Sequence, residues 1–410
     1  MSAKTTGLDD SVADLTAKEG VTYNEVIQCQ FSNWYSTFSN PPKECLVDRK
    51  NITVKSIVLP LPPNFADFLL SDGVRLPEGA TKVSSYVLPE KDDEWSDDNG
   101  DGDEKEEDEE VRQFSFPELN VEIQSAIESL GGAVMPKLNW SAPKDASWIN
   151  NGTLKCQTPG DVYLLLKSSD FVMHDVQHAL DAVSLFDNDG KVTQVEKVKY
   201  ELVLRKWCNL HPSMEFRCFV FHDELLAISQ RQHTQHFPHL TTEGMMFRSY
   251  IIDFFDSAIK GRFAGGEIPN YCFDVYIDKK DRVWLLDFNV WGKQTDSLLY
   301  EWHELGRFAK NLDEELASQK EIDALDLEHG IEDENDDFVA IQSDFPEFRV
   351  VETENEIRQD PLASYRAPID TIELASNASG KETPSFEAFM AMCEKPSEIP
   401  EEDEDDQGSS

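Results

Sequence analysis

Asp274, Asp287 and Asn289 are the side chains whose types and spacing best suit chemistry in this chain. Two carboxylates and a carboxamide offer only oxygen ligands. Such a set suits a hard cation like Mg2+, which keeps several waters and shares its remaining positions with substrate phosphates. The chemistry that follows is the holding of a metal-bound nucleotide. For each Asp alone a plainer role stays open, Asp274 as a solvated edge residue and Asp287 as a strand end, because charged residues are mostly exposed. Asp287 speaks against the plain role. It closes the apolar run Val283-Trp284-Leu285-Leu286 and precedes Phe288, where an unpaired carboxylate would be costly to bury.

Convergence of the three side chains requires a hairpin. The stretch from Cys272 to Trp291 reads CFDVYIDKKDRVWLLDFNVW. β-Branched and aromatic residues crowd it on both sides of the polar cluster 278–281, so strands are expected over 272–277 and 282–288. Opposite residues share a face and successive residues alternate. A loop of two or four residues sets Ile277 against Arg282 and Asp274 against Leu285, which gathers Asp274, Asp287 and Asn289 on one face. A three-residue loop would send Asp274 to the other face.

Other elements must bring phosphate-binding groups to that face. A helix from Pro117, with Ile123, Ala126, Ile127 and Leu130 on one side and Gly131-Gly132 after it, leads into a short strand over 133–138. Lys137 closes that strand. The following Asn139-Trp140-Ser141-Ala142-Pro143-Lys144-Asp145 has small residues that let backbone approach phosphate, without a Gly-rich fingerprint. A helix over 160–167 is N-capped by Thr158. A strand over 200–207 leaves the core through Arg205-Lys206. A second hairpin, 215–231, turns at His222-Asp223-Glu224 and aligns Glu215 with Arg217 and Ser229 with Arg231. Its charges require partners, either each other or bound phosphates on Arg217 and Arg231. Phe247, Ile251, Phe254, Phe255 and Ala258 form a core stripe of a longer helix, and a last helix is expected over 297–305, capped by Asp296 or Thr295.

Composition narrows the class. The chain has 410 residues and a formal net charge of -43. Residues 91–110 contribute -11 and residues 401–406 contribute -6, so the remainder keeps -26. An acidic body argues against a general binder of nucleic acid or anionic membrane, which needs a basic footprint, and favours a partner with a basic surface. The seven cysteines are scattered, several within apolar runs, as expected of reduced thiols in a cytoplasmic or nuclear protein. No apolar run approaches the ~18 residues of a membrane span. Residues 81–114 lack the apolar content to fold, and the calcium-loop imitation at 97–108 fails at its eighth and twelfth positions, Glu104 and Asp108. Ser96 there is a candidate for an acid-directed kinase. Beyond about 312 the chain is acidic, with islands such as 344–350 that could fold back on the body or onto a partner.

Taken together, Lys137 and its loop, Arg205-Lys206, Glu215-Phe216-Arg217, and Asp274 with Asp287-Phe288-Asn289 resemble the succession of parts in an ATP-grasp fold. CQFSNWY, KSIVLPLP, LGGAVMPKLNWSAPKDASWI, LLLKSSDF, YELVLRKWCNL, EFRCFV, ISQR and VWLLDFN through TDSLL resemble more specifically the cell division cycle protein 123 family, over about residues 29 to 299. The resemblance implies an α+β fold of two subdomains enclosing a nucleotide cleft. The expected division is a mobile extension (1–26), a first part of the body (27–80), an acidic linker (81–114), the main body (115–310) and an acidic tail (311–410). It further implies a monomeric, cytoplasmic Mg-ATP-binding chaperone that binds the gamma subunit of eukaryotic translation initiation factor 2 and helps the heterotrimer assemble, in support of translation and the cell cycle. By position, Lys137, Lys144 and Arg217 would touch phosphates, with Ala142 and Asp145 shaping the loop over them. Arg205, Lys206, Trp207 and Cys208 would follow the adenine, Glu215 would meet the ribose, and Ser229 would line the pocket. Asp274, Asp287 and Asn289 would hold Mg2+. The alternative is an ATP-dependent carboxylate-amine ligase, which needs the same phosphate positioning.

Overall fold

The computed structural model describes residues 20–40, 51–80, 82–83, 86–87, 113–184, 195–329 and 345–358. Residues 1–19, Ser96, the calcium-like stretch, residues 185–194 of the insert and the chain after 358 lie outside them.

Two α+β units face one another. The first is built on an antiparallel three-stranded sheet in the order Ser56–Pro60, Glu201–Lys206, Val134–Lys137. Helices Phe65–Leu70, Pro117–Ser129, Pro159–Lys167 and Asp170–Gln177 close over one face of it, around Phe65, Phe68, Ile123, Tyr163, Leu165 and Leu204. The helix boundaries follow local chemistry. Pro117 and Pro159 sit in first turns, where a missing N–H costs nothing. Thr158 and Asp161 cap each other's backbone reciprocally. Gly131 and Gly132 take φ of 100° and 86° to end helix Pro117–Ser129.

The second unit carries a five-stranded sheet in the order Glu347–Arg349, Glu224–Gln230, Glu215–Phe221, Tyr271–Ile277, Val283–Val290. Neighbours are antiparallel except strand Glu347–Arg349, which runs parallel to Glu224–Gln230. The hairpin 215–230 turns at His222-Asp223, whose φ of 52° and 59° give the primed turn that matches strand twist. Helices Phe31–Ser39 and Pro238–Phe254 pack on this sheet. Trp34 and Phe38 meet Phe288 at ring separations of 5.4 and 5.2 Å, and Phe263 stacks on it at 4.2 Å.

The units share strand Glu201–Lys206. Alternation sends Leu202 and Leu204 into the first core and Val203 into the second. The lead-in to strand Ser56–Pro60 also starts in the second unit, where Ile52 is part of the core and its O accepts from Leu285 N at 2.7 Å.

Two expectations need correction. The hairpin 271–290 pairs Ile277 with Val283 and Asp274 with Asp287, so Asp274 does not face Leu285. The five-residue loop is odd, and a bulge at Leu286 restores the parity that it removes. The last helix begins at Trp302, not Ser297, and runs to His329. Leu298, with φ 58°, cannot enter it, and Asp296 spends its Oδ1 on Leu298 N at 2.9 Å. Of the two possibilities for the island 344–350, folding back on the body is the one seen. Residues 347–349 are a strand, and Gln230 Oε1 accepts from Val351 N at 3.0 Å. Among the described residues no helix is long and apolar enough to cross a membrane.

Candidate functional site

Strand ends and loops of both units wall one cleft of about 230 Å³. The first unit supplies Lys137, Ser141, Ala142 and Lys144, then Arg205, Lys206, Trp207 and Cys208 as the chain crosses over; the second supplies Glu215, Arg217, Arg231, Asp274, Asp287 and Asn289. Twelve of the fourteen residues expected from sequence line it. Asp145 does not, because its carboxylate accepts from Ser169 Oγ at 2.6 Å and Asp170 N at 2.7 Å, away from the cleft. Ser229 does not either. It pairs with Arg217 across the sheet but is fully buried under Leu299, whose N–H donates to its hydroxyl at 3.3 Å.

The floor of the cleft is a row of buried charges. Lys137, 2 % exposed, pairs across the cleft with Asp287, joining the two units electrostatically. Arg217 grips Asp274 with two parallel bonds, Nε to Oδ1 at 2.8 Å and NH2 to Oδ2 at 2.9 Å, and Arg231 approaches the same carboxylate at 3.4 Å. Burial alone would raise the Asp274 carboxyl, but the guanidiniums of Arg217 and then Arg231 hold it well below the usual carboxylate range. Lys144 stands at the mouth with an exposed side chain, and among the described residues no hydrogen bond or ion pair holds its ammonium. It is pushed down to about 8, first by the neighbouring Arg231 and then by the protein walling the cleft.

Beside these pairs lie polar atoms without partners. Arg205 is buried, its guanidinium 5.5 Å from the Phe31 ring centre, and among the described residues its Nε and NH2 find no acceptor. Asp287 Oδ1 and Asn289 Nδ2 are likewise buried and unsatisfied among the described residues. Each such group costs about 1–3 kcal/mol if left alone, and more if charged. Two guanidinium nitrogens, a carboxylate oxygen and an ammonium, none with a hydrogen-bond partner among the described residues, give this cleft the chemistry to take up an anion together with a counter-ion.

Among the described residues no three His, Cys, Asp or Glu side chains group as a ready-made metal cage. A hard cation such as Mg2+ takes one or two protein carboxylates and relies on phosphates for the rest. Asp287 has an oxygen without a partner among the described residues to offer it, whereas the unsatisfied atom of Asn289 is Nδ2, an N–H donor, so that residue could ligate only through its amide oxygen. Asp274 is the more committed member, since both its oxygens already accept from Arg217.

Sequence reasoning missed the apolar lining of Val54, Met135, Trp140, Leu210 and Leu286. It also missed Asp175, which accepts from Ser141 N at 2.7 Å. Met135 was readable, because alternation places it on the same face of its strand as Lys137; Asp175 had no signal, lying far from its partner in sequence.

Known proteins share this chain's sequence and architecture. The D123 family matches residues 48–375. A translation initiation factor eIF2 assembly protein of Xenopus tropicalis is 37% identical over 359 residues, covering 86% of this chain and 92% of that relative. One from Dictyostelium discoideum is 35% identical over 395 residues, with 86% and 92% covered. The structure of Cdc123 from Schizosaccharomyces pombe superposes with a TM-score of 0.52 at 36% identity, covering 70% of this chain and 92% of that one. The chain belongs to the D123 family.

Proposed function

We propose that this protein is a Mg-ATP-binding assembly chaperone of ATP-grasp type that binds the gamma subunit of eukaryotic translation initiation factor 2 and promotes formation of the heterotrimer, in the cytoplasm. The observation that carries the nucleotide part is the set of buried, partnerless groups on the cleft floor, Arg205 Nε and NH2 with Asp287 Oδ1. A nucleotide and a divalent ion would satisfy them together, the ion at Asp287 Oδ1 and an acceptor atom of the nucleotide at the Arg205 guanidinium. Lys137, Lys144, Arg217 and Arg231 would hold phosphates, the chain at 205–208 would follow the base, and Glu215 would meet the ribose. Met135, Leu210 and Leu286 give the flat base an apolar seat. Asp287, Asn289 and Asp274 would hold Mg2+, whose role when bound is to neutralise phosphate charge. The choice of partner rests on the relatives, which are named for eIF2 assembly, and on an acidic chain suited to a basic surface.

Calorimetric titration with ATP, with and without Mg2+, tests the first part, and capture of purified gamma subunit in both conditions tests the second. Absence of heat above dilution would remove the nucleotide; capture indifferent to ATP would remove the coupling. A ligase is the second candidate because a side chamber of about 330 Å³ adjoins the cleft and shares Lys144, Phe171, Glu215, Arg217 and Arg231 with it, room for an acceptor beside the phosphates. Stoichiometric ADP with a mass-shifted acceptor would establish that activity.

A further inference from the structure

Loops that wrap phosphate usually draw their shape from glycine, whose backbone adapts to the ligand. The loop that follows Lys137 has none between Leu138 and Ala146. Its shape is imposed from outside. Asn139, fully buried, donates to Lys199 O and accepts from Glu201 N, both at 2.8 Å, so its side chain continues the sheet beyond the strand's end. Trp140 Nε1 donates to Val26 O at 2.9 Å. Two buried carboxylates then exchange places with helix Asp170–Gln177. From the helix, Asp175 accepts from Ser141 N at 2.7 Å, Ser141 Oγ at 2.8 Å and Trp140 N at 3.3 Å. From the loop, Asp145 accepts from Ser169 Oγ at 2.6 Å, Asp170 N at 2.7 Å and Phe171 N at 3.3 Å.

Each carboxylate is 5 % exposed and meets three donors, which is what makes its burial tolerable. The donors that the two carboxylates meet lie on either side of Ala142-Pro143-Lys144 and not within it. The backbone of these three residues is held from both sides: Lys144 N donates to Ala142 O at 2.7 Å, while Pro143 O accepts from Ala146 N at 3.2 Å and Lys144 O from Ser147 N at 3.3 Å, and Ala142 and Lys144 of this crest line the cleft.

We infer that Asp175 and Asp145 are positioning residues that clamp the loop in its phosphate-receiving shape before any nucleotide arrives, so that the loop does not close over the ligand. The inference rests on the nucleotide reading of the cleft. Lys144 is then the moving part, a flexible side chain on a fixed crest, and helix Asp170–Gln177 is the anchor that sets where the crest stands.

Amide hydrogen exchange of the full chain and nucleotide affinities of variants test the clamp. Without nucleotide, the amides of Trp140 and Ser141 should exchange slowly and change little when ATP is added. Asp175→Ala should weaken ATP on the order of 10- to 100-fold, from the loss of hydrogen bonds to a charged group. It should weaken AMP by no more than about threefold, because AMP keeps the base and ribose contacts and lacks the outer phosphates. Ser141→Ala removes one of the three donors and should fall between, which keeps the test alive if Asp175→Ala does not fold. Fast exchange at 140 and 141 that ATP slows would overturn the clamp, as would equal losses for ATP and AMP. If wild-type protein binds no ATP, the nucleotide reading fails, while the exchange rates still decide whether the loop is preset.

Discussion

Replacing Asp287 by Asn separates two roles that converge on one carboxylate. Its partner, Lys137, is 2 % exposed, and Asp287 itself is 20 % exposed, so the pair is shielded from the water that makes surface pairs worth only about 0–1 kcal/mol. Removing one member of a buried pair leaves the other charged and uncompensated, at a cost of roughly 3–5 kcal/mol, and the remaining exposure of Asp287 argues for the lower end, about 3. In a folded body of this size that is a fall in Tm on the order of 5–10 °C. ATP should reduce the deficit, because its phosphates give Lys137 another anion. The metal contributes differently: wild type should gain extra thermal stabilisation when Mg2+ accompanies ATP, and Asp287→Asn should lose that increment. Thermal unfolding of both proteins, alone, with ATP and with Mg-ATP, reads all of these quantities. Wild-type stability in the variant would refute the electrostatic argument, and an intact Mg2+ increment would refute the assignment of Asp287 to the ion.

Other outcomes follow from neighbouring groups. With the Lys144 ammonium pushed down to about 8, it is charged below that pH and loses its proton above it, so ATP affinity should decline by about threefold to tenfold as pH rises from 7 to 9. Lys144→Gln should bind more weakly with a flat profile, and a wild-type profile flat across pH 8 would count against Lys144 as a phosphate ligand. Asp274→Asn leaves Arg217 buried without its counter-charge and should cost about 3 kcal/mol in denaturant unfolding. Because the folded state depresses the Asp274 carboxyl, its stabilisation is present above the ordinary carboxylate range and is lost as pH falls through and below it; the variant should therefore show a shallower acid limb. Gly244→Ala would set a Cβ 2.8 Å from Phe348 Cε1. It should loosen strand Glu347–Arg349, visible as faster proteolysis near 345–350, despite the better helix propensity of Ala.

How far the fold can be read from the sequence depends on whether each feature is local. Helix starts at Thr158 and Pro117 and the stop at Gly131-Gly132 were legible because capping is decided within four residues. The membership of helix Phe31–Ser39 was not, since nothing local tells Trp34 that its neighbour is Phe288. Residues 347–349 join the sheet although their surroundings in sequence are acidic and sparsely apolar, and Arg349 is held there by distant partners, Leu299 O at 3.1 Å and the face of Tyr300 at 4.2 Å.

In the hairpin 271–290, Asp274 and Asp287 come to share a face through a register other than the one expected. Asp278 organises an odd loop by accepting from Lys280 N, Arg282 N, Arg282 Nε and Trp284 Nε1, while Asp281 takes φ 59°. That loop alone would place Asp274 opposite Leu286 and turn its carboxylate away from Asp287 and Asn289. The extra residue at Leu286 reverses the parity, and Asp274 meets Asp287 directly. The sequence held a sign of this. In a strand with one polar face, the adjacent residues Leu285 and Leu286 cannot both obey alternation, yet both are buried; a bulge is the device that lets neighbours share burial. The irregularity therefore belongs to the site: it turns Asp287 toward Lys137 and leaves Leu286 as part of the apolar wall, two roles that a regular ladder could not give to consecutive residues.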